Sequence, residues 1–538
     1  MERRGNLAKK RIVTIVVLMC AVAFQTYAQS IYSFRGANID NILTFQKIYK
    51  GARLFKLERN YRSTQNIVEA ANSLIKKNSR QIQKNIFSEN DRGEKLHVLD
   101  THSDLEEAKM VVNAIRAIKR REGCEYSDFA ILYRTNAQSR VFEDTLRKES
   151  LPYRIYGGLS FYQRKEIKDV LAYFRLAVNP NDEEAFKRVI NYPARGIGQT
   201  TVGKILTVAT QHEVSLWNVI SHPEAYELGV SKATLTKIGQ FREMIAGFIE
   251  QTRELPANQI GTMIVKQSGI IADIYQDSTP ENLSRQENVE ELINGMQDFC
   301  DMRMEEGNNN ISLNDYLSEV SLLSDVDTDK GDDEHKVTLM TIHSAKGLEF
   351  ATVFVVGLEE GLFPSDMVSG NPREMEEERR LFYVAITRAK THCYLSYAQC
   401  RFRYGQMEFS APSRFLKDID PRYLDRQQTM FSSRRTINDD VQLPWNRTPK
   451  EPISHFSLRP TPSPTLSSHP STVTSHPSPV NSHLSTLKEG VYILHNRFGR
   501  GQVLRIEGTG DNTKATVRFE NVGTKQLLLK FAKFEVIG

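Results

Sequence analysis

The sequence contains few cysteines, and their placement excludes two classes of protein. Its 538 residues include five cysteines, at positions 20, 124, 300, 393 and 400, with no CxxC pair among them. Zinc sites and small disulfide-stapled scaffolds both depend on closely spaced cysteines. Ordinary thiols in a reducing compartment are therefore expected.

The sequence also lacks a strong charge of either sign. The formal net charge is +5, with 25% charged and 40% hydrophobic residues. This composition is typical of a globular protein, and the length allows several domains. The mild basicity permits a nucleic-acid partner without requiring one, since a generic basic surface has the same composition.

A long hydrophobic run is missing as well. The apolar run from Ile12 to Phe24 is short for a membrane span. Basic residues precede it and Ala28 follows it, which is the pattern of a secretory signal. A buried strand or helix behind basic residues is the alternative, although the pattern alone favours the signal.

Short runs rich in β-branched residues alternate with helical segments on both sides of a helical region. The strand-like runs are "EKLHVLDT", "DFAILYR", "KVTLMTIHS" and "ATVFVVGL". Such alternation predicts the α/β class, with a parallel sheet and helices on both faces. The intervening residues 165–334 show few strand signals and predict a helical insertion that splits the α/β domain.

Two further changes of composition mark the C-terminal part. Residues 426–487 are rich in Ser, Pro, Thr and His, which predicts a disordered linker in preference to a metal-binding histidine tract. Residues 488–538 alternate like strands joined by Gly, Asp and Asn turns. They predict a small antiparallel β barrel.

The segment "QSIYSFRGA", which begins at Gln29, carries a candidate stacking platform. In an extended chain Tyr32 and Phe34 face the same side, and two aromatic faces beside Arg35 can stack on single-stranded bases. Gln29 can both donate and accept hydrogen bonds, which suits sensing a phosphate or a water. The spacing alone favours a core aromatic pair with a surface arginine.

The segment "LERNYRS" places Tyr61 and Arg62 directly after a predicted strand. Open α/β sheets present ligand-binding residues at strand ends of this kind. A tyrosine can stack on a base, and the arginine fork can hold a phosphate. An exposed loop at the end of a strand is the alternative.

Two later segments carry further polar residues. The polar loop in "VTLMTIHSAKGLEFATVFVVGL" contains His343 and Glu349 around a Lys-Gly pair that can touch phosphates. The helical segment "EEERRLFYVAITRAK" begins acidic and ends basic, which suits the helix dipole. Arg388, near its end, could stabilise the charge of a transferring phosphoryl group.

In this order and at these spacings, the four segments resemble motifs III, IV, V and VI of the superfamily 1 DNA helicases, specifically the UvrD/PcrA branch. The blocks "ILYRTNAQSRVFE", "LPYRIYGGLSFYQRKEIKDVLAYFR" and "YPARGIGQTT" support the resemblance, which runs from about residue 28 to 420. The C-terminal segment resembles the Tudor-like tail of the same branch, which Rep-type relatives lack.

The resemblance implies a RecA-like parallel sheet domain with an α-helical insertion, a remnant of a first RecA-like domain, and a small Tudor-like β barrel. The implied divisions are residues 1–28 (atypical N-terminus), 29–55 (remnant with motif III), 56–164 (second RecA-like domain, first half), 165–334 (2B-like insertion), 335–425 (second half), 426–487 (linker) and 488–538 (Tudor-like domain).

The resemblance also implies a role for each matching residue. Nucleotide roles fall on Gln29, Arg62 and Arg388 at the γ-phosphate, on Tyr61 at the adenine and on Glu349 at the ribose. DNA contacts fall on residues of motifs III and V, on the "YRTNAQSR" block and on the backbone of the "RGIG" turn. The residues are Tyr32, Phe34, Arg35, His343, Arg134, Asn136, Gly196 and Gly198. No residue is assigned to a metal.

The departure from the family pattern lies before Gln29. The phosphate-binding loop G-x-x-x-x-G-K-[ST] and an acidic magnesium site should precede motif III. The 538 residues do not contain the loop, and the residues before Gln29 do not offer the carboxylate pair. ATP and Mg²⁺ are thus the expected cofactors of the family, with an incomplete site in this chain.

The sequence therefore predicts the C-terminal portion of an ATP-dependent 3′-to-5′ DNA helicase that cannot hydrolyse ATP alone. The expected partners are single-stranded DNA and its junctions with duplex, RNA polymerase through the tail, and a separate N-terminal helicase fragment. A truncated or frameshifted product and half of a split enzyme both fit. A cytoplasmic location is expected, with the apolar N-terminus interpreted as a core strand.

Three alternatives stay open. One is a non-catalytic remnant that binds DNA or RNA polymerase. Another is a secreted protein, which rests only on residues 1–28. A helicase–nuclease subunit is disfavoured because the chain carries a small β tail where such a subunit has a nuclease domain.

Overall fold

The structure is a computed structural model that describes residues 31, 40–277, 279–325, 335–403, 406–426 and 487–537. The signal-like residues 1–28 and the linker positions 427–486 lie outside these ranges. So do four motif III residues with predicted roles: Gln29, Tyr32, Phe34 and Arg35. The hypotheses on all of these residues stay predictions.

Strands are distributed over the two ends of the described chain. In chain order they are β1 (Arg59–Asn60), β2 (Phe87–Ser88), β3 (Leu96–Ser103), β4 (Phe129–Tyr133), β5 (Tyr153–Ile155), β6 (Val337–Thr341), β7 (Phe350–Val355), β8 (Ala389–Arg403), β9 (Gln406–Phe409), β10 (Leu424–Arg426), β11 (Tyr492–His495), β12 (Gly499–Glu507), β13 (Lys514–Phe519), β14 (Gly523–Leu528) and β15 (Phe534–Val536).

Helices fill most of the remainder. The α-helices are α1 (Asp40–Leu43), α2 (Phe45–Ile48), α3 (Gln65–Ile75), α4 (Asp104–Glu122), α5 (Ser139–Lys148), α6 (Lys165–Val178), α7 (Glu183–Val189), α8 (Gln199–Gln211), α9 (Leu216–Ser221), α10 (Lys232–Gln251), α11 (Ala257–Gln267), α12 (Ile270–Ile274), α13 (Pro280–Glu305), α14 (Leu313–Asp325), α15 (Pro372–Ile386) and α16 (Phe415–Asp418).

The largest sheet has the strand order β10-β3-β8-β7-β4-β6-β5, with β9 added on β8. Every pair along that path is parallel, and only β9 runs antiparallel to its neighbour. The α/β class with a parallel sheet is thereby confirmed, together with the four predicted strands β3, β4, β6 and β7. All five residues of β4 are buried, as expected for a central parallel strand.

Helices cover both faces of this sheet. On one face α3 and α15 pack through residues such as Leu74 and Val384. On the other face α4 and α5 pack through residues such as Ile115 and Leu146. Local sequence sets the bounds of these helices: before α4, for example, the Ser103 hydroxyl accepts a hydrogen bond from the Glu106 amide.

The longest strand, β8, was not predicted from the sequence. It lies inside the sheet, between β3 and β7. Its sequence, "AKTHCYLSYAQCRFR", intersperses polar and apolar residues, so it shows no continuous hydrophobic run. The alternation in "CYLSYA" was the available signal.

The strand predicted before Tyr61 is largely wrong. Only Arg59 and Asn60 are extended as β1, which pairs with β2 in a separate two-stranded sheet. The apolar side chains of Leu54, Phe55 and Leu57 are exposed, and β10 occupies the edge of the large sheet. The run therefore has no place in the core of that sheet.

The helices from α6 to α14 enclose a hydrophobic core of their own, which includes Phe174, Phe186, Phe241 and Phe248. This confirms that the region is helical. Its predicted boundaries at 165 and 334 stay predictions. Among the described helices of the chain, none is both long enough and apolar enough to cross a membrane.

The last described residues, 487–537, form the C-terminal β domain. Its five strands have the order β14-β13-β12-β11-β15, and each neighbouring pair is antiparallel. The core of the domain includes Ile493, Val517 and Phe519. The predicted small antiparallel β domain is thus present.

Candidate functional site

Arg62, Glu349 and Arg388 come from three distant segments and meet at one place. Arg62 Nε lies 2.5 Å from Glu349 Oε2, and Arg62 donates a second hydrogen bond to the Thr387 carbonyl at 3.2 Å. The side chain of Arg388 bonds to the same residue, with 3.2 Å between its guanidinium and Thr387 Oγ1. Motifs IV, V and VI therefore share one site.

Hydrogen bonds to backbone carbonyls hold these segments in place. The Ser63 hydroxyl donates to the Ala389 carbonyl at 2.7 Å, and the Thr64 amide donates to the Lys390 carbonyl at 3.0 Å. The Phe350 amide donates to the Arg388 carbonyl at 3.0 Å. The site is thus built on the first residues of β7 and β8.

This position corrects the predicted one. The sequence suggested the carboxyl ends of the sheet strands for Arg62, where open α/β sheets bind ligands. Glu349 and Arg388 instead directly precede β7 and β8, at the amino ends. The physical reason is that β1 lies outside the large sheet, so the end of β1 does not mark the carboxyl edge of that sheet.

Arg388 is a buried cation with no ion-pair partner in the described part of the chain, and the more distant charge of Glu349 offsets only part of the effect of burial on its pKa. It is 1% exposed and donates to three neutral oxygens, those of Val384, Leu348 and Thr387. Burial, and then the charge of Arg62, lower the pKa of Arg388 to about 10. An anion placed beside it would compensate both effects.

Further cations surround Arg388. Burial and the charge of Arg388 lower the pKa of Lys346. Lys390 Nζ lies 3.1 Å from Glu349 Oε1, a contact that sequence reasoning missed although the residue stands in the quoted motif VI segment. Hydrogen bonds from Arg62 and Lys390 lower the pKa of Glu349, so this carboxylate stays ionised. The cluster suits a phosphate-bearing ligand.

Tyr61 lies beside this cluster with its ring open to solvent. It is 74% exposed, and the Arg59 guanidinium covers its ring at 4.6 Å from the centroid. An exposed tyrosine ring can stack on a base. The predicted contact of Tyr61 with adenine stays a prediction.

Three residues predicted to contact DNA lie at the opposite, carboxyl edge of the sheet. Arg134 and Asn136 follow β4, and His343 follows β6, the neighbour of β4 in the sheet. The eight residues 342–349 then connect this edge to the amino edge at Glu349. One loop thus links the two candidate sites.

Arg134 has a strong partner within the protein. Its guanidinium binds the Glu378 carboxylate in a bidentate manner, with distances of 2.7 and 3.0 Å, and the Glu378 side chain is 6% exposed. The adjacent Asn136 is exposed. The structure thereby shows an internal role for Arg134, and its contact with DNA stays a prediction.

The "RGIG" turn belongs to the helical insertion and leads into α8. Gly196 (φ +70°) and Gly198 are exposed there, and Gly198 is the N-cap of α8. Arg195 points inward and donates to the Ser268 carbonyl at 2.7 Å, while Asn191 Oδ1 accepts from the amides of Arg195 and Ile197. The turn is thus held with its glycine backbone outward.

Sequence families match both parts of the chain. The UvrD-like helicase C-terminal domain family covers residues 55–400, and the PcrA/UvrD tudor domain family covers residues 490–535. The first match alone spans more than half of the chain.

Individual proteins match over nearly the whole chain. A protein named ATP-dependent DNA helicase PcrA from Leuconostoc citreum is 36% identical over 510 residues, which are 95% of this chain and 66% of that relative. Proteins of the same name from Staphylococcus aureus and Staphylococcus epidermidis are 38% identical over 509 and 506 residues, each match covering 94% of this chain and 65% of the relative. The chain thus spans slightly less than two thirds of the length of these relatives. With helicase motifs joined in one site and a tudor domain behind them, the chain belongs to the UvrD/PcrA family of helicases.

Proposed function

We propose that this chain supplies one wall of the nucleotide site and part of the DNA path of an ATP-dependent 3′-to-5′ DNA helicase. The observation that carries the proposal is Arg388, a buried guanidinium with no ion-pair partner among the described residues. Burying a charge without an ion-pair partner is unfavourable, and an anion bound beside the charge offsets this effect. The relatives named ATP-dependent DNA helicase make a nucleoside triphosphate the natural anion.

In the proposed site the residues of this chain face the phosphates, the ribose and the base, and none is assigned to the metal. Arg62 and Arg388 would hold the γ-phosphate, Glu349 the ribose and Tyr61 the adenine. Gln29, the proposed γ-phosphate sensor, lies outside the described residues. No cluster of three metal-ligating side chains occurs within the described ranges, so no step is assigned to Mg²⁺.

On the DNA side, the proposal places single-stranded DNA at the carboxyl edge of the sheet and duplex near the "RGIG" turn. Asn136 and His343 would contact the single strand, and Gly196 and Gly198 would offer backbone to duplex phosphates. Arg134 would act mainly by holding the edge through Glu378. Tyr32, Phe34 and Arg35 keep their predicted contacts with single-stranded DNA.

We expect a polypeptide of these 538 residues to hydrolyse no ATP by itself, because its sequence contains no P-loop to orient the phosphates. Steady-state ATPase activity with excess single-stranded DNA should equal the buffer blank. Turnover well above the blank would contradict this expectation.

The proposed nucleotide-binding roles of Arg62 and Arg388 are tested by equilibrium binding of a fluorescent ATP analogue. Arg388→Met and Arg62→Gln should each weaken binding by about tenfold or more, since a charged hydrogen bond contributes about 1.5–3 kcal/mol. Binding of a labelled oligonucleotide should be unchanged in both variants. Unchanged analogue binding in both would overturn the assignment.

A second candidate function is a non-catalytic one, in which the chain binds DNA or RNA polymerase. It is favoured by the C-terminal β domain, which matches the PcrA/UvrD tudor family. A separate N-terminal helicase fragment is the other proposed partner. Oligonucleotide binding without nucleotide binding would favour the non-catalytic function. A cytoplasmic location goes with either role.

A further inference from the structure

The C-terminal β domain lies against the α/β domain at the start of helix α4. The Ser103 hydroxyl donates to the Arg497 carbonyl at 2.6 Å, and Asn521 donates to Glu106 Oε1 at 2.6 Å. At Gly499 (φ +71°) an added methyl group would fall 2.8 Å from the Glu106 carboxylate, so the backbone of the β domain lies close against this side chain. Leu105 packs against the core of the β domain.

The same domain also contacts the helical insertion, through opposite charges. Arg497 lies 3.4 Å from a carboxylate oxygen of both Asp298 and Asp301 on helix α13. Lys533 lies 3.5 Å from Asp301, and Lys525 lies 3.5 Å from Glu306 just beyond the helix. The β domain therefore bridges the other two parts of the chain.

Asp298 is the point at which all three parts meet. Its carboxylate lies 3.2 Å from Arg140 of helix α5 in the α/β domain and 3.4 Å from Arg497 of the β domain. Arg140 also binds Glu291 at 2.6 Å on the same helix of the insertion. The contact between insertion and α/β domain is thus continuous with the contact to the β domain.

The junction has the character of a separable interface. A cavity of about 220 Å³ lies there, lined by charged side chains from all three parts, among them Arg140, Asp301 and Lys533. Beside it, among the described residues, the buried atoms His495 Nε2 and Glu305 Oε2 have no hydrogen-bond partner and make only long charged contacts, at 3.5 Å between His495 and Glu305 and 3.8 Å between Arg497 and Glu305. Polar, incompletely satisfied interfaces are typical of domains that move relative to each other.

We propose that the C-terminal β domain is a releasable clamp. Docked on Asp298, Asp301 and Glu106, it holds the helical insertion in one orientation against the α/β domain. When it leaves, Asp298 keeps Arg140 but loses Arg497, the other carboxylates of α13 lose their counter-charges, and the insertion is free to move. The clamp rests on these contacts and not on the nucleotide or DNA roles.

Docking is tested first on the unmodified chain by carbodiimide coupling, which joins a lysine amine to a carboxylate in contact with it. Mass spectrometry should find Lys525 joined to Glu306 and Lys533 joined to Asp301. The absence of both products would overturn the docked arrangement.

The clamp is tested by hydrogen exchange in Arg497→Glu, which places a negative charge against Asp298 and Asp301. Amides of helix α5 and of α13 should exchange faster by about tenfold, because a lost interdomain contact opens those helices locally. Amides of β13 should keep their protection, which shows that the β domain itself stays folded. Arg505→Glu is the matched control, since Arg505 is 70% exposed and pairs with Glu507 of its own domain. It should change neither helix.

Two outcomes would overturn the clamp. In the first, Arg497→Glu abolishes the coupling products while exchange in α5 and α13 stays as in the wild type. The β domain would then leave without loosening either helix. In the second, both coupling and exchange are unchanged. If β13 loses protection in Arg497→Glu, the double variant Lys525→Glu, Lys533→Glu replaces it and is judged by hydrogen exchange alone, because it lacks the two lysines that couple. Unchanged exchange in α5 and α13 of the double variant would overturn the clamp. Its side chains are 33% and 61% exposed, so the fold of the β domain tolerates the change.

Discussion

Arg62 and Glu349 form an ion pair of 2.5 Å across 287 positions of the sequence, and both belong to the proposed nucleotide site. Their side chains are 28% and 43% exposed, so the pair contributes at most about 1 kcal/mol to stability. A ligand could therefore open it at little cost. The ion pair therefore joins the segments of Arg62 and Glu349 only weakly.

Glu349→Gln should change the free energy of unfolding by less than about 1 kcal/mol, because the pair is partly exposed. Binding of the ATP analogue should weaken by about threefold to tenfold, as expected when one hydrogen bond is weakened. Urea unfolding and fluorescence titration measure the two effects. Glu360→Gln is the matched control, since Glu360 pairs with Arg414 at a comparable exposure. It should leave nucleotide binding unchanged, and an equal loss in both variants would count against the site.

Arg388→Met should cost only about 1–2 kcal/mol of stability, because the loss of its hydrogen bonds to Val384, Leu348 and Thr387 is partly offset by removing a buried cation that has no ion-pair partner. Arg140→Met is the contrasting variant, because Arg140 is surrounded by Asp144, Glu291 and Asp298. It should lose about 3–5 kcal/mol, since Glu291 loses its cation and Asp144 and Asp298 each lose one of two. Urea unfolding of both variants measures the difference. Equal losses would mean that Arg388 has a compensating anion in the protein.

Arg134→Gln should destabilise the protein by about 3 kcal/mol, because the buried Glu378 loses its bidentate partner. The neighbouring Asn136→Ala should cost less than about 0.5 kcal/mol, since Asn136 is exposed. Oligonucleotide affinity, measured where both variants are folded, should fall in Asn136→Ala. A stable Arg134→Gln variant with lost DNA binding would show instead that Arg134 contacts DNA directly.

Glu143 should make stability depend on pH. Burial raises the pKa of Glu143 to about 7, although Arg147 lies 3.1 Å away and the Phe161 amide donates to the carboxylate. Between about pH 4.5 and pH 7, Glu143 therefore keeps its proton in the folded chain. In the unfolded chain, where its pKa is 4.5, it has released that proton. The contribution of Glu143 to the free energy of unfolding therefore falls as pH rises from about 4.5 to about 7, by up to roughly 3 kcal/mol.

Glu143→Gln should remove this slope, because glutamine does not titrate. Urea unfolding of wild type and variant at pH 5 and pH 8 measures it, with the wild type losing more stability than the variant at the higher pH. Glu184→Gln, at a side chain that is 79% exposed, should keep the wild-type slope. A variant as pH-dependent as the wild type would exclude Glu143 as the cause.

Local sequence patterns predicted those strands and helices whose residues lie in one kind of environment, such as a strand that is buried on both faces. Strands β4 and β7 are continuous apolar runs because both of their faces are covered, and so they were recognised. Strand β8 was not predicted, because polar residues interrupt its run of apolar residues. The motif segments indicated Arg62, Glu349 and Arg388 as one site, and the structure joins them.

Relations across the fold could not be predicted in this way. The partner of Arg134 is Glu378, 244 positions away, and no local spacing connects the two. The amino-edge position of Arg388 depends on the order of the strands, which a single sequence does not reveal. The contacts of Arg497 with α13 depend on where a separately folded domain comes to rest. Each of these is decided by tertiary packing rather than by local propensity.

The charged junction at Asp298 has a consequence for measurements in solution. Salt shortens the reach of exposed charges from about 10 Å at 0.1 M to about 3 Å at 1 M, so pairs such as Lys525 with Glu306 weaken as ionic strength rises. The proposed DNA binding should weaken over the same range because counterions compete for the phosphates. A salt titration of this chain would therefore record two processes at once, and its slope would overcount the phosphate contacts unless the β domain were first cross-linked in place.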